Sequence, residues 1–157
     1  MYESRLSKSL SILHSELSAL QDSRFLETRN FIQHGNTSVY QHCISVAYTS
    51  CIIAAKLNLK VDISKMVRGA LLHDYFLYDW HNKDKSCLLH GFVHPKLALA
   101  NASQEFVLSS IERDIISRHM FPLTPIPPIY KEGWIVIIAD RYCSLREAIA
   151  RERVWAA

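Results

Sequence analysis

The 157-residue chain contains only four glycines and five prolines. That is little turn chemistry for an all-β fold, whose many short strands need such residues between them. None of the four cysteines, Cys43, Cys51, Cys87 and Cys143, forms a CxxC pair, so the zinc-ribbon and thioredoxin-like patterns are both missing. The longest apolar runs, such as WIVIIA at 134–139, are far too short to cross a bilayer. The stretch MYESRLSKSLS has no apolar segment of the kind a secretory leader carries. A cytoplasmic protein with reduced, buried thiols at Cys43 and Cys51 is therefore expected, with no membrane partner. Charge is scarce in the same sense. Eighteen Lys and Arg stand against 15 Asp and Glu, a net +3 with no basic block. This balance tolerates a small anionic substrate and argues against an extended nucleic-acid surface.

What is present is globular. Apolar residues make up 49% and charged residues 21%, and the length suffices for one hydrophobic core. Leu6, Leu10, Leu13, Leu17 and Leu20 recur at helical spacing. A short second helix is expected within 25–33. In HGNTSVYQHC, Asn36 or Thr37 is the candidate cap of a helix running to about Leu57. Asp62 is placed to cap the next helix, VDISKMVRGALLHDY. Residues 75–93 lose the pattern and read as an irregular loop. Pro95 suits the first turn of a helix to about Ala102, and 105–119 reads as one further helix. MFPLTPIPPIYKEG, with four prolines, cannot be regular helix. WIVIIA alone suits a buried strand, but its unbroken continuation to Arg153 favours a long final helix. The expected fold is all-α, a compact bundle of about six helices. Residues 1–157 are read as a single domain, with 1–33 as an N-terminal helical extension packed on a core at 34–154.

Several polar residues interrupt apolar helices. His42 lies among Val39, Cys43 and Val46, and His73-Asp74 closes the run RGALLHD. His119 follows Ile115 by one turn, and Asp140 interrupts WIVIIADRY. Each has a plain alternative. A lone histidine can be satisfied in a core through one ring nitrogen. Asp74 can cap a turn, and Asp140 can pair with a buried arginine. Taken together, imidazoles and carboxylates on apolar faces can satisfy one another by sharing a divalent cation. Mixed nitrogen and oxygen donors suit Fe, Mn, Zn or Ni better than Ca.

His42, then the doublet His73-Asp74, then Asp140, within HGNTSVYQHC, RGALLHD and IADRYCS, resembles the HD superfamily of metal-dependent phosphohydrolases over about residues 30–150. The resemblance implies a helical bundle that holds its metal through these residues. Members with two metals carry two further histidines, which His94 in HGFVHP and His119 in IISRHM resemble. The implied ligand set is His42, His73, Asp74, His94, His119 and Asp140, with Asp74 as the bridge. The implied cofactor is one or two divalent transition-metal ions (Fe, Mn, Ni, Co or Zn, with Mg admissible). No GYP motif follows His119, and Met120 stands where cyclic-dinucleotide phosphodiesterases carry another histidine. Ser144 occupies a position that is often acidic.

The expected activity is hydrolysis of a small phosphate ester, such as a nucleotide. Asp74 would orient the nucleophile, Arg118 or Arg141 would bind phosphate where it is not simply solvated helix surface, and His90 or His81 would donate a proton or add a metal ligand. Lys83 and Lys85 are weaker phosphate candidates. Tyr75, Tyr78 and Trp80 either stack on a base or close the core. Two other functions share these residues: a di-iron oxygenase of the same superfamily, and a non-catalytic helical module that keeps its metal for stability. An oligomer is compatible with all three.

Overall fold

The computed structural model describes residues 1–79 and 90–155, with side chains described through residue 150. The fold is the expected all-α bundle. Among the described residues, six α-helices run in order: α1 Tyr2–Ala19, α2 Val39–Lys56, α3 Ile63–Leu72, α4 His90–Glu105, α5 Ser110–Arg118 and α6 Lys131–Trp155. A 3-10 helix, Arg24–Asn30, and a small antiparallel pair, β1 Ile32–His34 and β2 Thr37–Ser38, join α1 to α2. None of the helices is long and apolar enough to cross a membrane among the described residues.

The helices form where their apolar faces can be buried. In α1, Leu13 is buried and Leu6, Leu10 and Leu17 lean on the core, so the helix lies against α2 and α3. α2 sits at the centre, with Val39, Cys43, Val46, Ala47, Cys51 and Ala54 all buried. α6 resolves the strand-or-helix ambiguity in favour of helix. Its buried Ile135, Val136, Ala139 and Cys143 fall on one helical face. The thiols of Cys43 and Cys51 are buried and free, as expected, and so is that of Cys143.

Boundaries correct four expectations. First, α2 is capped by Ser38 rather than Asn36 or Thr37. The Ser38 hydroxyl accepts from the Gln41 amide, and the Gln41 side chain accepts from the Ser38 amide. Thr37 is already used by the hairpin, whose turn needs Gly35 at φ 59°. Second, α3 is capped by Asp62 as expected but stops at Leu72, before Tyr75. Tyr75 and Phe76 then turn into the core, where both are fully buried.

Third, α4 already includes His90, so Pro95 sits in its second turn rather than its first. Pro95 has no N–H to give the Gly91 carbonyl. Its ring is buried on the same helix as Ala98 and Ala102, and that packing offsets the lost hydrogen bond. Fourth, 105–119 is not one helix. α4 ends at Glu105, and Ser109 and Glu112 form a capping box that starts α5 anew. The proline-rich stretch before α6 is irregular, as expected. It is tied down by the buried Asp114 carboxylate, which accepts from the Ile129 and Tyr130 amides at 3.0 and 3.1 Å.

One close approach sets the geometry of the site. A Cβ added at Gly69 would lie 2.6 Å from Ile115 Cδ1 and 3.1 Å from Ile115 Cβ. Glycine therefore lets α3 and α5 touch, which brings their C-terminal ends side by side. Gly69→Ala should destabilise the fold by about 1 kcal/mol net, because an overpacking cost of ~1–3 kcal/mol outweighs a propensity gain of at most ~1 kcal/mol. The urea midpoint reads this directly, and a raised midpoint would disprove the close-contact argument.

Candidate metal centre

Six polar residues from five elements meet inside the bundle. His42 comes from α2, His94 from α4 and Asp140 from α6. His73 and His119 are the residues that close α3 and α5, and Asp74 follows His73. His42, His73, Asp74, His94 and His119 are all buried. Asp74 stands in the middle. Its Oδ2 is 3.4 Å from His73 Nε2 and 3.8 Å from His42 Nε2. Its Oδ1 is 3.1 Å from His94 Nε2 and 3.4 Å from His119 Nε2. Asp140 Oδ1 lies 3.0 Å from His42 Nε2 and 3.9 Å from His73 Nε2. Two overlapping trios, His42–His73–Asp140 and His73–Asp74–His119, place their donor atoms within 4.8 Å of one another, close enough to hold a cation.

Each histidine is oriented through its other nitrogen. His73 Nδ1 donates to the Ala70 carbonyl at 2.7 Å, and His119 Nδ1 to the Ile116 carbonyl at 2.9 Å. These two bonds are equivalent. Each uses a carbonyl in a helix's last turn, where intrahelical amides run out. His94 Nδ1 donates to the His90 carbonyl at 2.8 Å. His42 Nδ1 lies 2.9 Å from a Glu147 carboxylate oxygen. With Nδ1–H committed in His73, His94 and His119, the neutral rings present bare Nε2 lone pairs to the interior. Backbone and carboxylate partners of this kind are the usual support behind metal-binding imidazoles.

The donor set fits a divalent cation. His73 Nε2 and Asp74 Oδ1 are buried without a hydrogen-bond partner, an arrangement that costs free energy unless something binds there. Asp74 Oδ1 is close to two imidazole nitrogens, but neither approach has hydrogen-bond geometry. His94 Nε2 and His119 Nε2 stand 2.8 Å apart. Two lone pairs that close repel unless a proton or a cation is shared between them.

Electrostatics follow from the same contacts. Burial would lower the His42 imidazole, but hydrogen bonds to Asp140 and Glu147 carry it well above its ordinary value. Burial dominates at His73 and lowers it. At His119 burial is outweighed by the neighbouring Asp74 carboxylate, which raises it. Burial would raise the Asp74 carboxyl, yet the charges of His73 and His94 hold it well below the carboxylate range. For Asp140, burial is likewise outweighed, first by the His42 hydrogen bond, and its value falls to about 2. Both aspartates are thus held ionised.

A cavity of about 350 Å³ opens onto the cluster, lined among others by Gln33, His34, His90, Met120 and Arg141. His90 is on its wall, with Nδ1 2.7 Å from the Tyr78 hydroxyl and its ring stacked on His94. Arg141 also lines it and donates to the Phe121 carbonyl. Arg118 is not brought there. Its guanidinium is 3.1 Å from both Asp114 and the Pro127 carbonyl, beside a separate surface depression. Tyr75 closes the core against Phe25, and its hydroxyl donates to Glu105. Trp80, His81, Lys83, Lys85 and Cys87 lie outside the described residues.

Supporting residues that the sequence pattern did not single out include Gln33 and Glu147. Gln33 Nε2 donates to Asp74 Oδ2 at 2.6 Å, from the buried position of β1 and from the segment expected as an extension. No local pattern in the sequence points to it, because the hairpin's placement decides the contact. Glu147 follows Asp140 by seven residues, two turns on the same face of α6, a spacing that could have exposed it. Ser144, one turn after Asp140, donates to it at 3.3 Å in place of an acidic residue.

The family described as HD domain matches residues 39–145, about two-thirds of the chain. No curated protein and no solved structure matches it. The matched stretch contains all six clustered residues, whereas Gln33, His34 and Glu147 lie outside it.

Glu147 offers a test of the cluster as a metal site. Glu147→Ala removes the acceptor that orients His42 and should weaken metal affinity by about 10–100-fold. Glu147→Gln keeps an acceptor oxygen and should lose less. Competition with a chromophoric chelator measures both, with circular dichroism confirming the helices. Equal metal affinity in wild type and Glu147→Ala would exclude this role.

Proposed function

This chain belongs to the HD domain family, and on that premise we propose that it is a metal-dependent phosphohydrolase acting on a small phosphate ester such as a nucleotide. One observation carries the reading. Bare Nε2 atoms and a partnerless Asp74 oxygen face one another at the floor of a cavity sized for a small ligand.

His42, His73, Asp74, His94, His119 and Asp140 would hold the metal. Asp74 directs one oxygen toward His42 and His73 and the other toward His94 and His119, which suits a bridge between two ions. A bound divalent ion supplies Lewis-acid polarisation of a phosphoryl oxygen and acidifies water at neutral pH. The remaining work falls to the chain. Gln33 holds one Asp74 oxygen and so fixes the carboxylate plane. Glu147 orients His42 through Nδ1, and Ser144 steadies Asp140. Arg141 on the cavity wall binds the phosphate, because a guanidinium pairs two of its oxygens at once. His90, steadied by Tyr78, is placed to give a proton to the leaving oxygen. Arg118, held by Asp114, has no part in this scheme.

The test is turnover of a panel of phosphomonoesters and phosphodiesters by protein loaded with Mn, Fe, Co, Ni or Mg. Hydrolysis of at least one small ester is expected, with loss of that activity in Asp74→Ala. Arg141→Ala should raise KM more than it lowers kcat if the arginine binds phosphate in ground and transition states alike. Metal-loaded protein that turns over no ester would refute the phosphohydrolase reading, and dioxygen consumption by di-iron protein would place it among oxygenases.

A further inference from the structure

α6 is apolar on two sides. One face enters the core through Ile135, Val136, Ala139 and Cys143. The other carries Trp134, Ile138, Tyr142, Leu145 and Ile149, each between 42% and 63% exposed. Their spacing of four, four, three and four residues keeps them on one stripe, about 22 Å long at 1.5 Å per residue. Five large apolar side chains in line are unlike the scattered exposure of an ordinary surface.

We propose that this stripe is the interface of a two-fold homodimer in which α6 packs antiparallel on α6 of a second copy. The stripe is self-complementary, as a two-fold contact demands. With the axis between positions 141 and 142, Trp134 faces the partner's Ile149, and Ile138 faces the partner's Leu145. Tyr142 faces the partner's Arg141, whose guanidinium can lie over the phenol ring. Trp134, Ile138, Leu145 and Ile149 then each meet an apolar residue, and Arg141 meets an aromatic face. A parallel pairing would instead stack each Arg141 beside the partner's Arg141.

The area is also right. Five half-exposed side chains of this size offer on the order of 500 Å² per copy, about 1,000 Å² over the pair, which reaches the lower bound for a specific interface. Its apolar centre matches the composition of homodimer contacts. The contact also reaches the cavity described above, because Arg141 lines that cavity. In the dimer, the partner's Tyr142 stands at the cavity rim. The inference does not depend on which reaction the cavity supports.

The experiment is molar mass of the full chain by light scattering after size exclusion, and by sedimentation equilibrium. Wild type should be a dimer. Ile138→Glu and Leu145→Lys should each be monomeric with unchanged circular dichroism, since each places a charge in an apolar contact. An equimolar mixture of the two variants should regain the dimer mass, because the register sets position 138 opposite position 145. A monomeric wild type, or a dimer that survives either single substitution, would overturn the proposal. A mixture that stays monomeric would overturn the antiparallel register.

Discussion

A buried carboxylate ringed by imidazoles governs this structure. Asp74 sits in the middle of the bundle, where an ionised group without compensation costs several kcal/mol. Its neighbours must therefore be donors or a cation, and they must approach from several directions at once. No single helix can arrange that, since successive side chains diverge by about 100° and same-face neighbours are a turn apart. α2, α3, α4, α5 and α6 consequently all end or pass at this point. The fold can be understood as the packing that lets five elements deliver short polar side chains to one place.

Helix ends do much of that work. His73 and His119 stand where α3 and α5 stop, and each spends Nδ1–H on a carbonyl of the turn before it. One bond thus satisfies a helix terminus and sets a tautomer. The two rings come within 4.9 Å of each other, centroid to centroid, because the helices touch at Gly69 and Ile115. α4 reaches the same spot from inside a helix, through His94. Pro95, next to it, is buried within the helix. The cost of that proline in helix hydrogen bonding is accepted where its ring fills the core.

Much of this was legible in the residues themselves. Polar metal-binding types on apolar helices were conspicuous because burial makes them expensive, and the doublet His73-Asp74 with His42 and Asp140 in order gave the family resemblance that the match over 39–145 bears out. The periodicity of α1, α2 and α6 was equally clear. Legibility failed where a local signal competed with a tertiary one. Pro95 looked like a helix start, but core packing overrode it. Ser109 and Glu112 carried a capping pattern that the apolar run around them masked. Gln33 and Arg118 were opposite cases of one difficulty: sequence neighbourhood to a ligand says little about direction. Arg118 adjoins His119 yet turns to Asp114, while Gln33 is forty-one residues from Asp74 and hydrogen-bonds to it.

α6 carries the consequences furthest. Its inner edge supplies Asp140 and Glu147, which clamp the two nitrogens of His42. Its outer edge is the exposed apolar stripe, and Arg141 lies between the two, on the cavity wall. A helix is stiff over this length, so fixing its outer edge also fixes the rotation of its inner one. A second copy packed on the stripe would therefore restrain Asp140 and Arg141 together, the first beside His42 and the second on the cavity wall. Such restraint would act on Arg141, a side chain that is exposed and hydrogen-bonds to the Phe121 carbonyl. On the proposed function and the proposed dimer, preorganisation of Arg141 and association through α6 would be one structural requirement, met by the two faces of the same helix.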